Sequence, residues 1–325
     1  MKCSTVPAAL LTAFLLTSCG GGKPSGGDQP ARPEVKATAW TNFSGDRAME
    51  DVKALVAIGP RPSGSPEIEI SRQYIEKRLR EAGWETQRQE FTAETVLRGP
   101  VKMANVRARI AVPGKDTWAR PVTTLVCSHY DTKWFQNTRF VGANDGGSSS
   151  GLLLEVARAA APVGEFASRL ELVFFDGEEA VTGFTSPGGF NDSRYDGLFG
   201  SRHYAKQLRD KPAAERPKYG VVFDMIGDAK LEVDFPVNGS RRLNALAMQA
   251  AAELGFAKHF REGPDMIDDH VPLSWVGMEV IDFIDLESYR DIWHTSADTL
   301  DKLNPESIHI AGRTGLLFIE KHLGD

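Results

Sequence analysis

The sequence predicts an α/β domain: an open, mostly parallel, doubly wound sheet with helices on both faces. Three observations predict it. Four apolar strand-like runs each lead into a helix-like segment: "VTTLVCSHYD" into "SSSGLLLEVARAAAP", "LELVFFDGEEA" into "DGLFGSRHYAKQLRD", "YGVVFDMIGD" into "SRRLNALAMQAAAELGF", and "MEVIDFIDL" into "NPESIHIAGRTGLLFIEKHL". Alternation of this kind builds a parallel sheet. The strands are continuously apolar, as strands covered on both faces are. The chain has 325 residues, 41% hydrophobic and 25% charged, enough for one large α/β domain or two small ones.

In chain order, residues 1–18 read as a signal peptide of the lipoprotein type. Met1-Lys2 is a short positive start, and "VPAALLTAFLLTS" is an apolar core too short to span a membrane. Leu16-Thr17-Ser18-Cys19 resembles a bacterial lipoprotein signal, with Cys19 as the lipidated residue; a plain secretory signal cut nearby is the simpler reading. Residues 19–39 form a Gly/Pro-rich tether with no face to pack. The expectation is an exported protein anchored to a membrane through Cys19, on the periplasmic face or cell surface. Cys127 remains alone in an apolar strand and reads as a small core residue. The formal charge of −6 and the lack of a basic run argue against nucleic acid as a partner.

Residues 40–325 form the catalytic domain. Ser65 can cap a helix with Pro66 in its first turn and Gly83 at its end, and Ile68, Ile75 and Leu79 give it an apolar face. Two strands follow, around 84–91 and 105–112, flanking a turn at "RGP". The four strand–helix units come next.

Ligands of such sheets bind outside the carboxyl ends of the strands. There the sequence delivers His129 and Asp131, then Asp145, then Asp176, Glu178 and Glu179, then Asp224, and through a loop Trp293 and His294. One such residue is commonplace; this many at successive strand ends mark a metal site. Imidazole and carboxylate without thiolate suit zinc in an open catalytic site. Two adjacent carboxylates repel, so Glu179 is expected on the metal and Glu178 is left to move protons. Asp131 and Asp176 are expected to fix loops. His270, in "IDDHVP", is the main competing histidine, ahead of His203, His259, His309 and His322.

Taken in order, "GPRPSGSP", "SHYDTK", "VGANDGG", "FFDGEEA", "LFGSRH", "DMIGD", "DDHVP" and "DIWHT" resemble zinc exopeptidases of the M28 type. Within that group they are most similar to animal-type glutaminyl cyclases. The resemblance covers most of the chain from about residue 50. It implies the zinc exopeptidase-like fold, peptide or protein N-termini as substrate, and zinc held by Asp145, Glu179 and His294. It makes Glu178 the catalytic acid/base, with Asp224 and Asp268 in its proton network. His129 and Asp224 match a second zinc site of the aminopeptidases, so one zinc or two stays open. Lys133, "LFGSRH" and Trp293 match the cyclase pattern, with Trp293 walling the substrate pocket. Phe184 and Tyr289 are further wall candidates. Departures are the "VTGFTSPGG" stretch, where the family carries a pocket tryptophan, Asp282 where it carries histidine, and Tyr289 in place of phenylalanine. Formation of pyroglutamate from N-terminal glutamine is the expected reaction; a zinc aminopeptidase is the alternative. The loop "VTGFTSPGGFNDSRYDG" is expected to cover the site.

Overall fold

The structure, a computed structural model, describes residues 38–183 and 196–323. The signal, most of the tether, Phe184 and most of its loop lie outside the described residues. Three helices come first: α1 (Ala39–Asn42), α2 (Gly45–Ile58) and α3 (Pro66–Glu81). Ser44 and Ser65 cap α2 and α3 by accepting from the amides of Arg47 and Ile68, and Pro66 fills the first turn of α3. Ile68, Ile75 and Leu79 are buried, as their spacing predicts.

The strands β1 (Trp84–Thr95) and β2 (Gly99–Ile110) form a hairpin longer than expected, reaching to the turn itself. The polar residues near its tip hide the strand period. Then come β3 (Thr124–His129), α4 (Gly147–Ala160), α5 (Gly164–Ala167), β4 (Leu170–Phe175), α6 (Phe199–Arg209) and β5 (Tyr219–Asp224). The chain ends with β6 (Val233–Pro236), α7 (Arg241–Glu253), β7 (Phe260–Gly263), α8 (His270–Ser274), β8 (Glu279–Ile284) and α9 (Pro305–His322).

Among the described residues the strands make one sheet in the order β1-β2-β4-β3-β5-β8-β6-β7. The central β4, β3, β5 and β8 are parallel. β1 and β2 are antiparallel at one edge; β6 and β7 extend the other. The predicted open, mostly parallel sheet is therefore present, with β6, β7 and α8 as unpredicted additions. These pieces are four or five residues long, too short to show a period.

Both faces of the central strands are buried. Val126, Leu172, Phe174, Val221, Phe223, Ile281 and Phe283 pack with α2, α4, α7 and α9 on one side. Leu125, Cys127, Val173, Phe175, Val222 and Val280 alternate with them and pack against Tyr204, Ala205 and Leu208 of α6 and Leu273 of α8. This two-sided burial is why these strands read as continuous apolar runs. Cys127 is a buried free thiol in the second layer.

One buried charge ties the antiparallel edge to the parallel centre. Glu171 of β4 is fully buried and accepts from Arg107 Nε and Arg109 Nε, both at 2.6 Å, and from the Tyr204 hydroxyl at 2.9 Å. Burial alone raises its pKa, but Arg107 and Arg109 more than offset this and hold it below the ordinary carboxylate range. Glu171→Ala strands two largely buried guanidinium groups, and the expected loss is about 3–5 kcal/mol of unfolding free energy in urea. The sign with pH follows. The wild type loses this contribution as pH falls through the lowered pKa of Glu171, so the gap between wild type and variant closes in acid.

Candidate active site

Four strands of the sheet end at one edge. β3 brings His129 and leads to Asp131, β4 leads to Asp176, Glu178 and Glu179, β5 ends in Asp224, and β8 leads to His294. Asp176 is consumed by structure: it accepts from Ser63, Arg72 and the amide of Ala104, joining α3 to β2. The turn after it needs Gly177. Its φ is 76°, and a Cβ there would lie 2.6 Å from Met103 Sδ. Asp131 then holds the tandem glutamates by their backbone, accepting from the amides of Glu178 at 3.2 Å and Glu179 at 3.4 Å. Lys133 Nζ donates to the carbonyl of Ala180 at 2.5 Å and stands 3.7 Å from Glu179 Oε2.

Asp145 sits in the turn before α4. Asp298 accepts from the amides of Asn144 at 2.8 Å and Asp145 at 3.1 Å, and the Tyr289 hydroxyl donates to Asp298 at 2.8 Å. Arg61 is completely buried and donates to the carbonyls of Tyr130, Val141 and Gly142 at 2.8, 2.6 and 3.0 Å. Gly146, φ 71°, completes the turn; a Cβ there would meet Asp131 O and His129 Cε1 at 2.8 Å. His294 has φ 57°, a left-handed conformation that costs a non-glycine residue about 1–3 kcal/mol. Trp293 stacks on its ring at 3.9 Å between centroids, and Phe135 and Phe140 meet it edge-on at 6.3 and 5.8 Å.

Two ligand sets result. Asp145, Glu179 and His294 each offer one atom, all within 4.8 Å of one another. His294 Nε2 is 3.3 Å from Asp145 Oδ2 and 3.0 Å from Glu179 Oε2. Both Glu179 oxygens and Asp145 Oδ2 are buried without a hydrogen-bond partner. Orphaned buried carboxylate oxygens facing an imidazole fit a divalent cation. His129, Asp145 and Asp224 form the second set. Here His129 Nε2 lies 3.1 Å from Asp224 Oδ1 and 3.2 Å from Asp145 Oδ1.

The electrostatics follow from burial. Burial and the neighbouring Asp145 raise the Glu179 carboxyl, despite His294 and Lys133. Burial would raise Asp145 too, but its contacts with His129 and His294 hold it well below the ordinary range. His294 is lowered by burial yet pushed up to about 9 by Glu179 and Asp145. Glu178 is pushed well up by burial, with Asp268 and Glu179 adding to the shift and His129 opposing it.

Glu178, Asp145, Asp224, Asp268, Trp293 and His294 line one pocket of about 280 Å³. Met225, Met266, Ile267, Ile284 and Leu286 give it an apolar lining, and Asp265, Glu287 and Arg290 line it as well. Tyr289 and Lys133 are not among its lining residues. Tyr289 is buried behind the site on Asp298, and Lys133 braces the glutamate turn from behind. Sequence reasoning missed Asp298, Arg61, Phe135 and Phe140. "GPRPSGSP" signalled Arg61 only as part of a resemblance, and Asp298, in "TSADT", follows no periodic or strand-end rule. His203 stacks on Phe91 and His259 meets the Leu231 carbonyl, both away from the pocket.

An open α/β sheet with imidazoles and carboxylates gathered at its carboxyl edge is the scaffold of a metal-dependent enzyme. The family model for peptidase family M28 matches residues 105–319, and the chain belongs to that family. It is 32% identical over 299 residues to the glutaminyl-peptide cyclotransferase-like protein of Mus musculus, covering 81% of this chain and 72% of that one. Among solved structures, glutaminyl cyclase from an Acidobacteriales bacterium matches at TM-score 0.72 and 30% identity, over 92% of this chain and 98% of that chain. A Zn-dependent exopeptidase from Parabacteroides distasonis shares the fold at TM-score 0.73 and 24% identity, over 86% of this chain and 99% of that one.

The backbone clamp on Asp145 is testable. Asp298→Ala is expected to weaken zinc binding about tenfold or more, as loss of groups that orient ligands does. Titration against a chromophoric chelator would measure it. Unchanged affinity would mean that the Asn144–Asp145 turn holds without Asp298.

Proposed function

We propose that the chain is a zinc-dependent glutaminyl-peptide cyclotransferase, converting N-terminal glutamine of peptides or proteins to pyroglutamate with release of ammonia. The observation that carries this reading is the pocket. Glu178 stands at its polar wall beside the Asp145–Glu179–His294 set, and Trp293 lines it next to His294. The names of the relatives support the same reading.

Asp145, Glu179 and His294 would hold one zinc ion. When bound, the ion supplies positive charge that polarises the γ-amide carbonyl and stabilises the oxyanion. Trp293 and the apolar wall hold the side chain folded back on its own α-amine, and this positioning contributes much of the rate. The amine nitrogen attacks the carbonyl carbon of the side-chain amide, and Glu178 takes the proton it sheds. The bond to the amide nitrogen then breaks, and Glu178 returns the proton to the leaving ammonia. A carboxyl raised by burial suits both transfers. Asp224 and Asp268 line the same wall and hold the network around Glu178.

We also propose export and anchoring through lipidated Cys19, on the strength of residues 1–19. No described helix is long and apolar enough to cross a membrane.

The test is mass spectrometry with the zinc-loaded chain on two peptides, one beginning with Gln and one with Leu. Loss of ammonia from the first with both chains otherwise intact is expected; removal of a whole residue from either would make the protein an aminopeptidase. Glu178→Gln should keep its zinc while kcat falls at least about 100-fold, the scale of general acid–base catalysis.

A further inference from the structure

Beside Glu178 lies a second buried cluster. Asp268 precedes α8, His270 opens it, and Asp282 sits in β8 opposite Val222 of β5. Asp268 is 2% exposed, and His270 and Asp282 are fully buried. One polar atom from each lies within 4.8 Å of the other two. Asp268 Oδ2, both oxygens of Asp282 and both ring nitrogens of His270 have no hydrogen-bond partner. His270 Nδ1 comes within 3.1 Å of Asp282 Oδ2, yet the two are not aligned as a hydrogen bond. The amide of Asp269 donates to Asp268 Oδ1 at 2.5 Å.

Charge decides what this cluster can be. The other charged groups acting on the two carboxylates, Asp224 and Asp269, are themselves acidic. Two adjacent carboxylates in a dry site cannot both stay ionised. Burial raises both, and lowers His270 to about 4, so the imidazole is neutral. With the ring misaligned, a proton belongs between the carboxyl groups. There it turns repulsion into a charge-assisted hydrogen bond.

We propose that Asp282 is a positioning residue: it shares one proton with Asp268 in a carboxyl–carboxylate hydrogen bond that fixes Asp268 in the pocket wall. No bond other than O–H is involved, and the proton is shared without leaving the pair. Asp268 lines the pocket while Asp282 does not, so Asp282 acts through Asp268. The kinetic consequence rests on the cyclase reading; the shared proton does not.

The experiment uses the zinc-loaded full chain, with Asp282→Asn and Asp282→Leu. Asparagine is nearly isosteric and keeps a donor toward Asp268; leucine has none. The infrared difference spectrum of wild type minus Asp282→Asn should contain the carbonyl stretch of a protonated carboxyl group, shifted in D2O. Its absence would overturn the shared proton. Zinc content should be equal in wild type and Asp282→Asn; loss of an equivalent would make the cluster a metal site and overturn the proposal. Asp282→Leu should lower kcat about tenfold with KM within about threefold, and Asp282→Asn should recover most of that loss. Equal losses in both variants, or none in Asp282→Leu, would overturn the positioning role. If the wild type releases no ammonia from a Gln peptide, the cyclase reading fails, and the infrared band still decides the pairing.

Discussion

Asp145 Oδ2 and Glu179 Oε2 lie 3.3 and 3.0 Å from Nε2 of His294, and Asp145 Oδ2 and both Glu179 oxygens are buried without a hydrogen-bond partner. That concentration of charge constrains the rest of the edge. The groups that hold the two ligand turns in place grip them mainly by their backbone. Asp131 takes the amides of Glu178 and Glu179; Asp298 takes those of Asn144 and Asp145. Lys133 donates to the carbonyl of Ala180, and Arg61 to the carbonyl of Tyr130 after β3 and to those of Val141 and Gly142 leading into the Asp145 turn. A site built this way is positioned by its turns and neutralised by what it binds.

The same edge is where the backbone is strained. Among the described residues, Leu198, Met225 and His294 are the non-glycine residues with positive φ. Met225 follows Asp224, and His294 is itself a ligand candidate. Leu198 donates its amide to the Glu178 carbonyl at 2.8 Å, and Phe199 donates to Gly177 at 2.7 Å. The start of α6 is thereby fastened onto the glutamate turn. Conformations costing about 1–3 kcal/mol each persist only where surrounding contacts over-determine them. Here those contacts are the bonds that aim the site.

The parallel centre of the sheet was legible in the sequence because both strand faces are buried, so β3, β4, β5 and β8 each stand out as apolar runs. The caps of α2, α3 and α9 differ in this respect: Ser65 and Asn304 were readable through the prolines after them, whereas Ser44 has no such flag. β6 and β7 escaped because four residues carry no period and Pro236, Arg261 and Glu262 disguise them. In the site, strand-end position predicts which residues converge, and Asp145, Glu179, His294, Glu178 and Asp224 do converge; Asp268, ahead of α8, was marked only by the family resemblance. What a strand-end rule cannot say is which way a side chain turns. Tyr289 was expected at the pocket wall, but its hydroxyl points to Asp298, a partner nine residues on that no pattern marks.

The shape of the pocket bears on the chemistry. A reaction in which the substrate supplies its own nucleophile has no use for an activated water, and water near Glu178 would lower the carboxyl toward its ordinary range. The pocket of about 280 Å³ combines an apolar lining of Met225, Met266, Ile267, Ile284 and Leu286 with an acidic one of Glu178, Asp224 and Asp268. One lining thus limits hydration while the other exchanges protons. A hydrolase on the same scaffold needs the reverse, a wet floor and a bridging ion pair at His129 and Asp224. In this chain the apolar lining beside Glu178 favours the intramolecular attack, because it disfavours the water that a hydrolase would have to activate.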